Sequence, residues 1–223
     1  VLFRSNLTSE RINVQERIDG ISGFEVDRLM QSGNDPVVIA RDGAHTLSEM
    51  IVEDGFFHAD PHPGNVYYLE DNRYALIDWG MVGRLTEQRR DQIIDLLMGM
   101  VRQETEKIQN ILVDWSISDD EEIDDERLTI YIEEFLDKYH GVELHRLDIS
   151  AIFFDLTKLL RDNRISLPAD LVLVFKVFIT LEGLGRRLNP DFDLVTEARP
   201  ILERAIRRRY TPGEMWRRGR KVA

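Results

Sequence analysis

Residues 58–83 read HADPHPGNVYYLEDNRYALIDWGMVG, and this stretch decides which fold we expect for the chain. Two prolines and a glycine lie between Asp60 and Asn65, which excludes the interior of a helix or a sheet. Two short runs typical of β-strands follow and meet in a turn at residues 71–72. The pattern therefore predicts a rigid loop, then a β-hairpin, then a second polar turn that contains Asp78.

Outside this stretch the apolar spacing is mostly helical. Thr86 is a suitable N-cap for the first helix after the motif, and Pro168 lies near the first turn of another, where proline is tolerated. We expect a mainly helical α+β fold. The predicted strands cover residues 11–18, 66–69 and 74–77, and residues 56–58 are a short aromatic stretch. The predicted helices cover 23–31, 36–53, 86–103, 104–115, 122–139, 148–163, 168–188 and 194–209.

Three polar residues of the motif stand at a spacing that suits phosphoryl transfer. Asp60 lies on the rigid loop, Asn65 follows five residues later, and Asp78 comes at the end of the hairpin. Phosphoryl transfer needs one carboxylate to accept a proton and oxygen ligands to hold Mg²⁺ against nucleotide phosphates. Protein kinases place these groups as D-x-x-x-x-N followed by D-F-G. We therefore predict that the three side chains converge on one solvent-accessible cleft.

The same residues resemble a known family. HADPHPGN and LIDWGMVG are similar to the signature of the UbiB/AarF atypical kinases, and the similarity extends to ERIDGI at residues 16–21 and LEGLGRRLNPDFDL at residues 181–194. The resemblance implies a protein-kinase-like C-terminal lobe with a small strand-rich active-site face. It also implies phosphotransfer or ATP hydrolysis that depends on ATP and Mg²⁺ and serves ubiquinone or other isoprenoid-quinone metabolism. The phosphoryl acceptor stays unidentified.

The resemblance also implies roles for individual residues, position by position. Asp60 would be the catalytic-loop aspartate, and Asn65 and Asp78 would be the metal ligands. Asn65 would also bind the nucleotide. The backbone of Glu16, Arg17 and Ile18 would border the adenine, and His62 of the loop would be a further nucleotide-binding residue.

Some parts of the family pattern are missing from this sequence. The nucleotide-binding lysine, the alanine-rich loop and the K-x-G-Q segment belong to the family's N-terminal lobe and are not found here, so we expect the chain alone to be inactive. The first residues, VLFRS, resemble a translated sequencing adapter. The expected organisation is a non-native leader at 1–5, the end of a hinge strand at 6–21, a kinase-like C-terminal lobe at 22–198 and a basic helical tail at 199–223.

Charge and composition exclude several other classes of protein. A net charge of −12 argues against general affinity for nucleic acid, and the lack of cysteine excludes disulfides and cysteine-bound zinc. The apolar run at residues 171–179 is too short to span a bilayer and is broken by Lys176. The family resemblance, rather than the composition, implies a cytoplasmic protein that is peripheral to, or anchored at, a membrane in its full-length form.

The C-terminal residues 199–223 contain nine basic residues and two acidic ones. This excess has two interpretations. It is either a solvated helix end, where arginine suits the helix dipole, or a surface attracted to anionic lipid.

Four alternatives to the kinase interpretation stay open on sequence alone. Each motif residue, taken alone, also suits a purely structural role in a turn or loop. His58, Asp60 and His62 alternate as H-x-D-x-H, which a transition-metal hydrolase can use. Small-molecule kinases of the aminoglycoside and choline type carry a similar loop followed by I-D-W, and Trp79 stands where the UbiB family usually has phenylalanine. A nucleotide-binding regulatory module without turnover is the fourth.

Overall fold

The computed structural model describes residues 4–116, 124–140 and 149–209. The leader predicted at 1–5 is described only from residue 4. The start of the helix predicted at 122–139, the first residue of the one predicted at 148–163 and the last part of the basic tail lie outside the described residues.

The described residues form a mainly helical α+β fold with small antiparallel sheets, which confirms the predicted fold class. The strands are β1 (Ile21–Ser22), β2 (Phe56–His58), β3 (Val66–Tyr68), β4 (Tyr74–Leu76) and β5 (Val82–Arg84). The helices are α1 (Val26–Met30), α2 (Pro36–Glu49), α3 (Glu87–Arg102), α4 (Thr105–Trp115), α5 (Asp125–Tyr139), α6 (Ile149–Asp162), α7 (Ala169–Leu188) and α8 (Leu194–Arg209).

The predicted hairpin is present, and it belongs to a larger sheet. Strands β3 and β4 pair with Val66 opposite Leu76, and β1 adds to the other side of β3. A second sheet, which joins β2 to β5, was not predicted. Its close packing requires a glycine, because a Cβ atom at Gly83 would lie 2.1 Å from the Phe57 ring. The second sheet fixes the strand that leads into the loop at Asp60.

The long helix predicted at residues 36–53 has two parts. Asp35 caps its start by accepting a hydrogen bond from the Val37 N–H at 2.9 Å, and Pro36 occupies the first turn. After α2 the chain makes one π-helical turn, Met50–Asp54. Arg90 of α3 donates hydrogen bonds to carbonyl groups of this turn, those of Val52 and Glu53. These bonds satisfy acceptors that the irregular helix end would leave unpaired.

The helices pack in a continuous series that places the sheets against one face. Each helix from α3 to α7 contacts the next, and α2, α7 and α8 contact one another, while α7 also touches β5. Among the described residues, no helix has both the length and the apolar character needed to cross a membrane. Large side chains at the centre of the core are fully buried: Leu29, Ile51, Phe57, Tyr68, Ile108 and Trp115.

The strand predicted at residues 11–18 does not form a regular strand. The structure has only isolated bridge residues in this region, among them the antiparallel pair Ser9 and Ile12, and the first regular strand begins at Ile21. A strand needs a neighbour to pair its backbone groups. Among the described residues no strand pairs with 16–19, and this segment is largely exposed.

Candidate functional site

His58 occupies the end of β2 and is completely buried, with 0% of its surface exposed. Its Nδ1 atom accepts a hydrogen bond from the Asp60 N–H at 3.1 Å. The proton must therefore sit on Nε2, which donates to the carbonyl oxygen of Ile77 at 2.9 Å. Because Asp78 follows Ile77, one buried ring connects the backbones beside the two carboxylates of the motif.

Asn65 provides a second connection between the same segments. Its side-chain amide nitrogen donates to the Asp60 carbonyl at 3.0 Å, and its backbone carbonyl accepts from the Ile77 N–H at 2.9 Å. Only 6% of Asn65 is exposed. The loop and the hairpin therefore place Asn65 beside Asp60 and opposite the residue that precedes Asp78.

Asp78 is exposed, so its side chain does not enter the helical core. Its backbone is left-handed, with φ of 55°, and its Oδ1 accepts a hydrogen bond from the Gly80 N–H at 3.2 Å. Aspartate tolerates this conformation better than most residues, and positive φ values are enriched at functional sites.

Trp79 covers His58. The two rings lie 4.9 Å apart between centroids, and Trp79 also stacks on Phe56 at 6.3 Å with an angle of 12°. Its indole N–H donates to the Leu76 carbonyl at 3.2 Å. The aromatic residue after Asp78 thus shields the buried histidine from water, and its indole N–H finds a partner.

The Asp60 carboxylate lies between two basic side chains. Oδ1 accepts a hydrogen bond from the Lys176 ammonium group of α7 at 2.7 Å, and Oδ2 lies 3.7 Å from Nε2 of His62. The hydrogen bond from Lys176 holds the pKa of Asp60 below its usual range, and burial opposes this only in part. In this structure Asp60 is therefore a carboxylate anion at neutral pH.

His62 is held by the loop itself. Its Nδ1 accepts from the Gly64 N–H at 3.0 Å, so Nε2 carries the proton and faces Asp60. A Cβ atom at Gly64 would lie 2.7 Å from the His62 ring, so only glycine permits this fold-back. His62 therefore lies beside the Asp60 carboxylate, a contact that the sequence pattern of the loop did not predict.

The sequence reasoning did not identify Lys176 as a site residue. It lies 116 positions after Asp60, on a helix, and no local motif marks it. One signal exists in the sequence: Lys176 is the only charged residue in the apolar run at 171–179. The side chain of Lys176 is 43% exposed, so this signal alone does not identify its partner.

The predicted adenine-bordering residues are not joined to this cluster by contacts. Glu16 and Arg17 are exposed and Ile18 is half-buried. Among the described residues, no hydrogen bond or ion pair joins these three to the loop. Their assignment stays a prediction.

The donor atoms suit magnesium better than a transition metal. The amide nitrogen of Asn65 is committed to Asp60, which leaves the amide oxygen as the ligand atom, and Asp78 offers a carboxylate. Mg²⁺ binds such oxygens and keeps several waters or phosphate oxygens. In the part of the chain that the structure describes, no cluster of three His, Cys, Asp or Glu side chains is arranged for a metal ion. Both ring nitrogens of His58 make hydrogen bonds to the backbone, so the geometry does not support a transition-metal site at the H-x-D-x-H residues.

Comparison with known proteins defines the class. The ABC1 atypical kinase-like domain matches residues 3–112, and the UbiB helical domain matches residues 132–193. The chain belongs to the ABC1/UbiB family of atypical kinases, which confirms the family resemblance and argues against the aminoglycoside or choline type.

Individual relatives agree with this assignment. An uncharacterized protein of Synechocystis is 33% identical over 184 residues, which are 80% of this chain and 45% of that protein. A probable protein kinase UbiB of Azotobacter vinelandii is 31% identical over 212 residues, 92% of this chain and 39% of that protein. A probable protein kinase UbiB of Xylella fastidiosa is 27% identical over 213 residues, with 92% and 38% covered. The chain thus spans less than half the length of these relatives.

Proposed function

We propose that this chain carries the phosphoryl-transfer residues of a UbiB-type atypical kinase or ATPase, on a lobe equivalent to the C-terminal lobe of protein kinases. The observation that carries this proposal is the pair of hydrogen bonds made by His58, to Asp60 and to Ile77. They join the proposed base to the segment of the proposed metal ligand, Asp78. Membership of the ABC1/UbiB family supports the use of ATP.

In the proposed reaction Asp60 is the proton acceptor. A hydroxyl group of the acceptor, or a water molecule, gives its proton to the Asp60 carboxylate while its oxygen forms a bond to the terminal phosphorus of ATP. The bond from that phosphorus to the bridging oxygen breaks, and ADP leaves with the electron pair. Asn65 and Asp78 would hold Mg²⁺, which neutralises charge on the phosphate oxygens when bound.

The border of the nucleotide base is proposed from the family resemblance. We assign its border to the backbone of Glu16, Arg17 and Ile18, of which Glu16 and Arg17 are exposed. His62 would contribute to the nucleotide site through Nε2, the ring atom that faces the Asp60 carboxylate.

The biological setting is proposed for the whole protein. The probable protein kinases UbiB among its relatives and the family resemblance support a role in ubiquinone or other isoprenoid-quinone metabolism. We propose a cytoplasmic protein that is peripheral to, or anchored at, a membrane, with its basic C-terminal residues facing anionic lipid. The acceptor is not assigned.

The test is Mg²⁺-dependent ATP binding by calorimetry, on the full-length protein encoded by the gene. We expect wild type to bind ATP only with Mg²⁺, and Asp78→Asn to weaken that binding about tenfold or more, because a carboxylate ligand is lost. Phosphate release on the same samples separates turnover from binding alone.

Asp71→Asn is the matched control. Asp71 lies in the turn of the same hairpin, is exposed and has φ of 59°, close to the 55° of Asp78. The substitution therefore makes the same chemical change in the same backbone conformation, away from the loop. Absence of ATP binding by wild type, or equal binding by Asp78→Asn and Asp71→Asn, would contradict the proposed function.

A further inference from the structure

Lys176 connects the helical part of the chain to the proposed site. Its Nζ atom lies 2.7 Å from Oδ1 of Asp60 and 3.7 Å from the sulfur of Met81, three residues after Asp78. The ammonium group therefore lies between the loop that carries the proposed base and the segment that carries the proposed metal ligand. Lys176 belongs to the UbiB helical domain, whereas the two acidic residues belong to the kinase-like domain.

The ion pair between Lys176 and Asp60 is a weak structural element. The side chain of Lys176 is 43% exposed and that of Asp60 is 28% exposed, so water screens their attraction. The helix that carries Lys176 is held by other contacts, since the neighbouring Val177 is fully buried. The ion pair itself thus contributes little to stability.

We propose that Lys176 is a phosphate-binding residue, and that its ammonium group leaves Asp60 for the terminal phosphate of a nucleoside triphosphate when the nucleotide binds. Lysine suits this exchange because it is a compact charge with three donors on a flexible stem. The inference rests on the proposed function, since it assigns a phosphate contact within that same site.

The exchange has a consequence for Asp60. Once the Lys176 ammonium group has moved to phosphate, Oδ1 of Asp60 is released from its hydrogen bond and can accept one from the attacking hydroxyl group or water.

The test compares ATP with ADP by calorimetry in the presence of Mg²⁺, again on the full-length protein. Lys176→Met keeps the length of the side chain and removes its charge. We expect it to weaken ATP binding about 10- to 100-fold, as loss of a charged hydrogen bond does, and ADP binding less than about threefold. Lys158→Met, at an exposed lysine on α6, removes the same charge from the same helical domain and should change neither affinity.

Asp60→Asn distinguishes exchange from a fixed ion pair. If Lys176 must leave Asp60 when ATP binds, Asp60→Asn frees the lysine before binding. ATP binding should then tighten about twofold to fivefold, the range for a screened ion pair. The same substitution should have no effect in the Lys176→Met background. Tightening that persists in that background would show repulsion by Asp60 alone and would overturn the exchange.

The outcomes separate this inference from the proposed function. If wild type binds Mg·ATP, Asp78→Asn weakens it and Lys176→Met binds ATP as wild type does, the phosphate-binding role is wrong and the proposed function stands. If wild type binds no Mg·ATP, the proposed function fails and the role of Lys176 fails with it. Equal weakening of ATP and ADP by Lys176→Met would also overturn the assignment to the terminal phosphate.

Discussion

Both ring nitrogens of His58 bond backbone groups, one in the loop and one beside Asp78. Water cannot take the place of the histidine at these two backbone groups, because the ring is fully buried and covered by Trp79. An unpaired backbone group in such a place costs about 1–3 kcal/mol. His58 is therefore a positioning residue that the two acidic residues depend on for their relative placement.

We expect His58→Phe to destabilise the protein by about 2–4 kcal/mol, because the aromatic ring is kept while two buried backbone groups lose their partners. Urea denaturation followed by circular dichroism measures this change. The control is His45→Phe on α2, where the side chain is 33% exposed and Nε2 lies 3.5 Å from the Glu197 carboxylate. It should cost less than about 1 kcal/mol. Similar costs for the two variants would contradict the positioning role.

At the scale of single residues, the sequence predicted what local spacing determines. Asp60, Asn65 and Asp78 are close along the chain, so one loop and one hairpin suffice to bring their segments together. Lys176 was missed because its contact with Asp60 depends on where α7 packs. No period or motif in one sequence gives that position.

At the scale of elements, boundaries with a chemical cause were predictable. Thr86 accepts a hydrogen bond from the Arg89 N–H at 3.1 Å and caps α3, and Pro168 precedes α7 directly. Strand β5 was missed because three residues, one of them Gly83, give no alternating pattern. The strand predicted at residues 11–18 had a suitable pattern and lacks a pairing strand in the described residues.

One contact between elements gives a pH dependence. Asp155 of α6 accepts hydrogen bonds from Lys138 and Tyr139 at the end of α5, each at 2.5 Å. These bonds, Lys138 first, hold the pKa of Asp155 below its usual value. A lowered pKa stabilises the fold above the unfolded value, about 3.9, and the stabilisation is lost as pH falls through the lower folded value.

We expect Asp155→Asn to destabilise the protein at pH 7 by about 1 kcal/mol or less, because the partly exposed Lys138 is screened by water. The difference from wild type should shrink as pH falls from about 5 towards 2, where Asp155 becomes neutral in wild type too. Urea denaturation at several pH values measures it. Asp137→Asn, at an exposed position on α5, should change stability by less than about 0.5 kcal/mol throughout. A constant difference for Asp155→Asn would contradict the argument.

At the scale of the whole molecule, the charge is unevenly distributed, with a net −12 and a basic C-terminal end. The structure shows that part of that basic end is already paired. Arg204 bonds to Glu49 at 3.1 Å and to Glu53 at 2.5 Å, and Arg208 also bonds to Glu53. The Glu53 carboxylate is 7% exposed, so these arginines fasten α8 to the π-helical turn before β2. Their positive charges are consequently already opposed by Glu49 and Glu53.

Attraction to an anionic membrane should therefore come from the basic residues beyond α8. We expect salt-sensitive binding to vesicles that contain anionic lipid, weakened more than about 100-fold when four of these residues become glutamine, since each contributes about 1 kcal/mol. Vesicle sedimentation at low and high salt measures it. The four are Arg217, Arg218, Arg220 and Lys221.

The matched control removes the same charge from α8 instead. Each of its four positions has an acidic partner in the structure, so we expect the control to lower stability and to retain vesicle binding. Equal binding of wild type to neutral vesicles, or no binding at low salt, would contradict attraction by charge. If only the control loses vesicle binding, the α8 arginines must leave Glu49, Glu53 and Glu203 to contact lipid. Membrane contact would then loosen α8 from the turn before β2. The glutamines of the control replace Arg199, Arg204, Arg207 and Arg208.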